Sequence, residues 1–171
     1  MRKIKEILHE DYLRSLMFGL QDGIVSTTGV VVGISTGISN KEIIVLAALV
    51  AVTVEASSMA AGQYSSEKAV HQMCKTGKSK IAHTDNLYIG ALIMFVAYML
   101  GGAFSIVPTI IFDQPAARTL AIASSFLGLF IIGYLRGYLV EHRPLRSAIE
   151  LFIIGSITTV IGIVVGYLLK V

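Results

Sequence analysis

Five long apolar runs, separated by polar breaks, constrain this chain more than any other feature of its sequence. They lie at roughly residues 15–38, 42–65, 87–110, 116–139 and 148–169. Each is close to the ~20 residues that an α-helix needs to cross about 30 Å of hydrocarbon. Their apolar residues fill the runs rather than one stripe, the mark of helices whose solvent is lipid. Only 15% of the 171 residues are charged and 54% are hydrophobic, whereas soluble domains carry about 25% charge. The expected fold is therefore an all-α integral membrane protein of five transmembrane helices, a single domain over residues 1–171 without a strong internal repeat.

The breaks set the order of the spans. Ser39-Asn40-Lys41 makes a tight turn after the first run, Phe112-Asp113-Gln114-Pro115 follows the third, and Glu141-His142-Arg143-Pro144 follows the fourth. Residues 67–86 are the one long polar stretch, expected to be a cytoplasmic loop. At the start, Ile4, Leu8 and Tyr12 fall at helical spacing among charges, so residues 1–14 read as an amphipathic helix lying in the interface. No cleavable signal peptide is expected, because the apolar run after Arg14 is not closed by a cleavage-like site.

Basic residues orient the spans. With the N-terminus in the cytoplasm, that side holds Arg2, Lys3, Lys5, Arg14, Lys68, Lys75, Lys78, Lys80, Arg136, Arg143 and Arg146, and the far side only Lys41, Arg118 and Lys170. The asymmetry obeys the positive-inside rule and predicts N-terminus in, C-terminus out. The net charge of +3 is small and distributed by this topology. Nothing resembles a nucleic-acid-binding patch, and the lone Cys74 excludes an intrachain disulfide framework.

Small residues mark close helix contacts. Gly29, Gly33 and Gly37 recur every four residues in the first span, Gly133 and Gly137 in the fourth, and Gly162 and Gly166 in the fifth. Such ridges let backbones approach in lipid, within one subunit or between two.

Asp22 and Glu55 carry the functional signal. If the first span began after Asp22, only Gly23 to Ile38 would remain, 16 residues. If the second ended before Glu55, Ile43 to Val54 would leave 12, too few to cross. Both carboxylates are thus expected inside the hydrocarbon zone, where each costs at least about 2.5–3.5 kcal/mol and is usually kept for an ion or proton path. The bland alternative is a protonated acid bonded to a neighbouring helix.

Glu55, Met59, Gln63 and Glu67 repeat every four residues and form a stripe on one helix face. Asp22 lies seven residues in from Ser15 and Met59 six back from Ser65, so at ~1.5 Å per residue they reach nearly one depth. Carboxylates alone suit Mg²⁺, Ca²⁺ or Mn²⁺, whereas a thioether beside them favours later or softer metals, and borderline Fe²⁺ accepts both. Candidate metal ligands are therefore Asp22, Met59, Glu55 and Glu67, with Gln63 and Ser26 as path-lining candidates. Alone, Met59 would be read as core filler. His71, Met73, Cys74, His83 and Asp85 sit in the 67–86 stretch, but their spacing does not make a tight zinc site. His9 and His142 fall in interfacial segments and carry no functional weight.

Two segments, Leu16-Met17-Phe18-Gly19-Leu20-Gln21-Asp22-Gly23-Ile24-Val25-Ser26 and Ser58-Met59-Ala60-Ala61-Gly62-Gln63-Tyr64-Ser65-Ser66, resemble the vacuolar iron transporter family. Glu150 to Gly155 is a weaker third likeness. The resemblance implies a five-helix homodimer whose ion path lies at the two-fold axis, lined by the first two helices. It implies transport of Fe²⁺, with Mn²⁺ tolerated, out of the cytosol in exchange for protons, with Asp22 and Met59 as ligands. Glu55 comes from the stripe, not from the resemblance. Two departures stand out. The family pattern has Gly-Glu-Tyr where this chain has Gly62-Gln63-Tyr64, and many members carry a long glutamate-rich cytosolic domain for which residues 67–86 leave no room.

The expected function is export of a divalent transition metal by proton exchange, with no resident cofactor and no enzymatic activity. The expected setting is the cell membrane, or a vacuolar membrane where the source has vacuoles. The rival readings are a structural or assembly subunit and a transporter of small organic solutes. No Ser/His/Asp triad, phosphate loop or metal-hydrolase motif supports an enzyme.

Overall fold

The structure is a computed structural model that describes residues 10–76, 86–141 and 143–169. Five α-helices occur among the described residues: α1 (Glu10–Gly37), α2 (Lys41–Lys75), α3 (Leu87–Ile111), α4 (Ala116–Arg136) and α5 (Pro144–Leu168). One π-helical turn, Gly137–Glu141, continues α4. All five are long and apolar enough to cross a membrane, and no strand occurs among the described residues. Leu46, Leu92, Leu127, Leu145 and Ile157 are each more than half exposed. A surface so rich in exposed aliphatics is what lipid, not water, would cover.

Three boundaries differ from the sequence reading, each for a local reason. Residues 10–14 are not a separate interfacial helix but the first turns of α1, since no breaker separates Tyr12 from Ser15. Residues 1–9 lie outside the described part. At its far end α2 passes Ser65 and runs on to Lys75, so the beginning of the expected 67–86 loop is helix. Residues 67–75 contain no Gly or Pro, and the helix is capped at Thr76, beside Gly77. With 35 residues, α2 is about 52 Å long, well beyond the ~30 Å of hydrocarbon. The fifth helix starts at Pro144, a residue suited to the first helical position.

Side-chain caps fix two helix starts. Asn40 accepts the Ile43 amide at 3.0 Å at the start of α2, and Asn86 accepts the Tyr88 amide at 3.0 Å at the start of α3. Lys41 and Asp113 pair at 2.9 Å and tie the α1–α2 turn to the α3–α4 turn.

α1 is the hub, packing against each of the other four helices, whereas α2 lies at the rim against α3 and, less extensively, α1. Close approach depends on glycine. A Cβ at Gly23 would collide with the Tyr98 carbonyl of α3, and one at Gly166 with the Gly33 carbonyl of α1. The glycine ridges of α1 and α5 therefore pack against each other inside one chain. That of α4 does the same: Cβ atoms at Gly133 and Gly137 would each come within 2.6 Å of α5 backbone at Ala148 and Pro144.

The main core joins four helices through Val31, Ile44, Ala48, Val52, Ala56, Tyr98, Ile106 and Ala121. A second cluster, Ile24, Leu129, Ile132 and Leu151, seats α4 and α5 on α1. Between them Thr28, Ser105 and Ser125 form a hydroxyl chain, with both contacts at 2.7 Å. It knits α1, α3 and α4 together through buried side chains.

Candidate metal-binding site

Glu55 is where α1, α2 and α3 converge. Its Oε2 accepts the Ser26 hydroxyl of α1 at 2.5 Å and the Tyr98 hydroxyl of α3 at 2.5 Å. The other oxygen, Oε1, meets no donor among the described residues. Tyr98 is 1% exposed and belongs to the main core. The tight α1–α3 approach at Gly23 brings it beside the part of α1 that carries Asp22 and Ser26. Two hydroxyl donors from different helices orient the carboxylate.

Asp22 is half-buried and lies close enough to Glu55 and Tyr98 for its charge to act on both. Met59, also half-buried, packs against the core cluster that contains Ala56 and Tyr98, one turn from Glu55. A carboxylate pair is thus gathered beside Tyr98, with the thioether of Met59 one turn along α2 from Glu55.

Further along the stripe the partners change. Gln63 donates to Ser15 Oγ at 3.0 Å and to Glu67 Oε1 at 2.7 Å. Glu67 also accepts Arg14 Nη2 at 3.0 Å and is only 7% exposed. The face bearing Glu55, Met59, Gln63 and Glu67 is therefore the one that α2 turns toward α1 and α3. Glu67 sits apart from Glu55 and belongs to a separate network.

Sequence reasoning missed Tyr98, Arg14 and Ser15. A tyrosine in the middle of an apolar span is itself a signal, because its hydroxyl must find a partner there. Arg14 and Ser15 looked like the border of a span; only the docking of α2 reveals their role. His71 and Cys74 lie on the extension of α2, while His9, His83, Asp85 and His142 fall outside the described residues. Among the described residues no three His, Cys, Asp or Glu side chains converge on one point suited to a metal ion. One chain thus supplies two acids with neutral oxygen and sulfur donors around them, a set that two copies would double.

The sequence matches the VIT family over residues 13–86 and 74–167. Vacuolar iron transporter 1 of Eucalyptus grandis is 33% identical over 72 residues, covering 40% of this chain and 28% of that protein. Vacuolar iron transporter 1 of Arabidopsis thaliana is 36% identical over 72 residues, with the same coverage. A Methanocaldococcus jannaschii protein of uncharacterized function is 27% identical over 169 residues, covering 88% of each chain. The match to the plant proteins thus spans under a third of their length. With the family match running through all five apolar helices, this multi-pass membrane protein belongs to the VIT family.

Proposed function

We propose that the protein carries divalent transition-metal ions, Fe²⁺ with Mn²⁺ tolerated, out of the cytosol in exchange for protons. The observation that carries this reading is Glu55, an acid held within a bilayer-crossing bundle by donors from two other helices and within electrostatic range of Asp22. Intramembrane acids are expensive and are retained for ion paths. The names of the plant relatives point to iron, and the thioether of Met59 fits an ion softer than Mg²⁺ or Ca²⁺.

In this mechanism the ion sheds water at the Asp22–Glu55–Met59 level, and negative charge repays its lost hydration. Ser26 and Tyr98 hold Glu55 so that Oε1 faces the ion. Protons arriving from the far side compete for the same carboxylates, and that competition couples the two flows.

The working unit in this proposal is a homodimer. On the outer side of α2, Ser57, Ser58, Ala61, Gly62 and Ser65 are all exposed, and nothing lies within 4 Å of a Cβ built at Gly62. A small, hydroxyl-bearing strip suits a second helix better than lipid. The test is reconstitution in liposomes, following Fe²⁺ or Mn²⁺ and internal pH together. Metal movement that drives proton counterflow supports exchange; metal movement with no pH change excludes it.

A further inference from the structure

The elbow between α4 and α5 gathers more positive charge than the chain around it neutralises. Arg136 ends α4, Arg143 precedes α5, and Arg146 lies in the first turn of α5. Glu150 stands 3.4 Å from both Arg136 and Arg146, so one carboxylate holds two guanidinium groups side by side. Arg143 is exposed, and its side chain has no partner among the described residues. Over residues 136–150 the sequence sets these three arginines against two acids, Glu141 and Glu150.

The charges also stand at the wrong end of a helix. α5 has no acid in its first turn and no side-chain cap. Its unpaired first amides and the positive end of its dipole therefore add to Arg143 and Arg146. Both arginines destabilise the helix they begin unless an anion lies over them. A buried group points to the same place. Ser147 packs against Gly137 of the π-helical turn, inside the elbow, and its buried hydroxyl has no partner among the described residues.

The surroundings are those of a lipid headgroup. The 21 residues of α4 rise about 30 Å, so Arg136 stands at the edge of the hydrocarbon. Leu135, Val140, Leu145 and Ile149 are exposed around the arginines, with Tyr134 and Tyr138 placed as an aromatic belt. A soluble anion would make no use of that apolar rim.

We propose that the α4–α5 elbow binds the phosphate of an anionic phospholipid. Arg143 and Arg146 are its cationic ligands, the first amides of α5 and the Ser147 hydroxyl are further donors, and the acyl chains lie along the apolar rim. Charge selects the lipid, because a choline headgroup would bring its own cation against the arginines. With the orientation expected from the basic residues, the elbow meets the cytoplasmic leaflet, whose surface potential is negative. The site does not depend on the transport reading.

The test is native mass spectrometry of the full chain in detergent, titrated with phosphatidylglycerol and with phosphatidylcholine. Wild type should bind the first at least about tenfold more tightly, since two basic residues contribute. Arg143→Gln removes no side-chain contact within the chain and should lose about fivefold of that preference, the scale of one basic residue at a lipid surface. Arg143→Lys should keep most of it, and Ser147→Ala should weaken phosphatidylglycerol binding without lowering the melting temperature. Lys68→Gln, on the rim helix α2, should keep the wild-type preference. Equal affinity of wild type for the two lipids overturns the site, as does full affinity in both Arg143→Gln and Ser147→Ala. An equal loss in Lys68→Gln also overturns it, by reducing the preference to general surface charge. Displacement of the lipid by excess inorganic phosphate would make the elbow a soluble-anion site and overturn the lipid assignment.

Discussion

The Tyr98 hydroxyl of α3 donates to Glu55 of α2 at 2.5 Å, across the interface that anchors the rim helix to the bundle. This bond has two consequences. It fixes the direction of the one carboxylate that three helices share, and it satisfies a buried phenol that would otherwise cost about 1–3 kcal/mol. In the proposed transport reading, structure and function meet at the same pair.

Tyr98→Phe separates the two roles. The ring still fills the core, but Glu55 keeps only Ser26 as donor. Loss of a hydrogen bond to a charged acceptor is expected to cost about 1.5–3 kcal/mol. In a double-mutant cycle with Glu55→Gln the effects should fall well short of additive. Thermal unfolding in detergent reads the stability part, and Mn²⁺ affinity reads the orientation of the carboxylate.

Met59 tests the choice of ion. Met59→Leu conserves volume and apolarity but removes the sulfur, so the fold should change by less than about 1.5 kcal/mol. Transport of Mn²⁺, which prefers oxygen ligands, should survive better than that of Fe²⁺. Competition between the two ions in one liposome preparation measures the shift directly. An unchanged ratio would mark Met59 as packing alone.

Two glycines should behave oppositely. Gly166→Leu drives a side chain into the Gly33 backbone and should separate α5 from α1, with loss of folded protein on purification. Gly62→Leu meets open space within the chain, so the subunit should fold and melt as wild type does. If the α2 strip is the homodimer face, Gly62→Leu should shift the mass measured by light scattering from two chains to one. Retention of the wild-type mass would place the subunit contact elsewhere.

Much of this architecture was legible in the sequence because a bilayer enforces it. Run length alone gave the five helices, since no other continuous structure satisfies a backbone in hydrocarbon. The stripe from Glu55 to Glu67 was also readable, because four-residue spacing fixes a helix face whatever packs on it. Which neighbours face that stripe was not readable. Tyr98 lies 43 positions from Glu55 and Arg14 lies 53 from Glu67, and pairings at such range depend on how helices dock. Glycine spacing showed that backbones would touch but not whose. Polarity after Ser65 reads as the end of α2, although Glu67, Lys68, Ala69, Gln72, Met73 and Lys75 are good helix formers and carry the helix on.

The hydroxyl chain offers a control for site-directed effects. Ser105→Ala breaks both 2.7 Å contacts, to Thr28 and to Ser125. Hydrogen bonds between membrane helices contribute about 0.6 kcal/mol on average and up to about 1.7. A modest fall in melting temperature with unchanged Mn²⁺ affinity is expected. A large loss of affinity would mean that the chain of hydroxyls communicates with Glu55.

The most direct measurement is metal flux in liposomes for wild type, Asp22→Asn and Glu55→Gln, each matched for folded protein and driven by a pH gradient. Both substitutions keep side-chain size and remove charge. The account predicts that wild type moves Fe²⁺ and Mn²⁺ and that each variant loses at least about tenfold in rate, the scale of about 1.4 kcal/mol or more. Wild-type rates in both variants, from protein that melts normally, would contradict it.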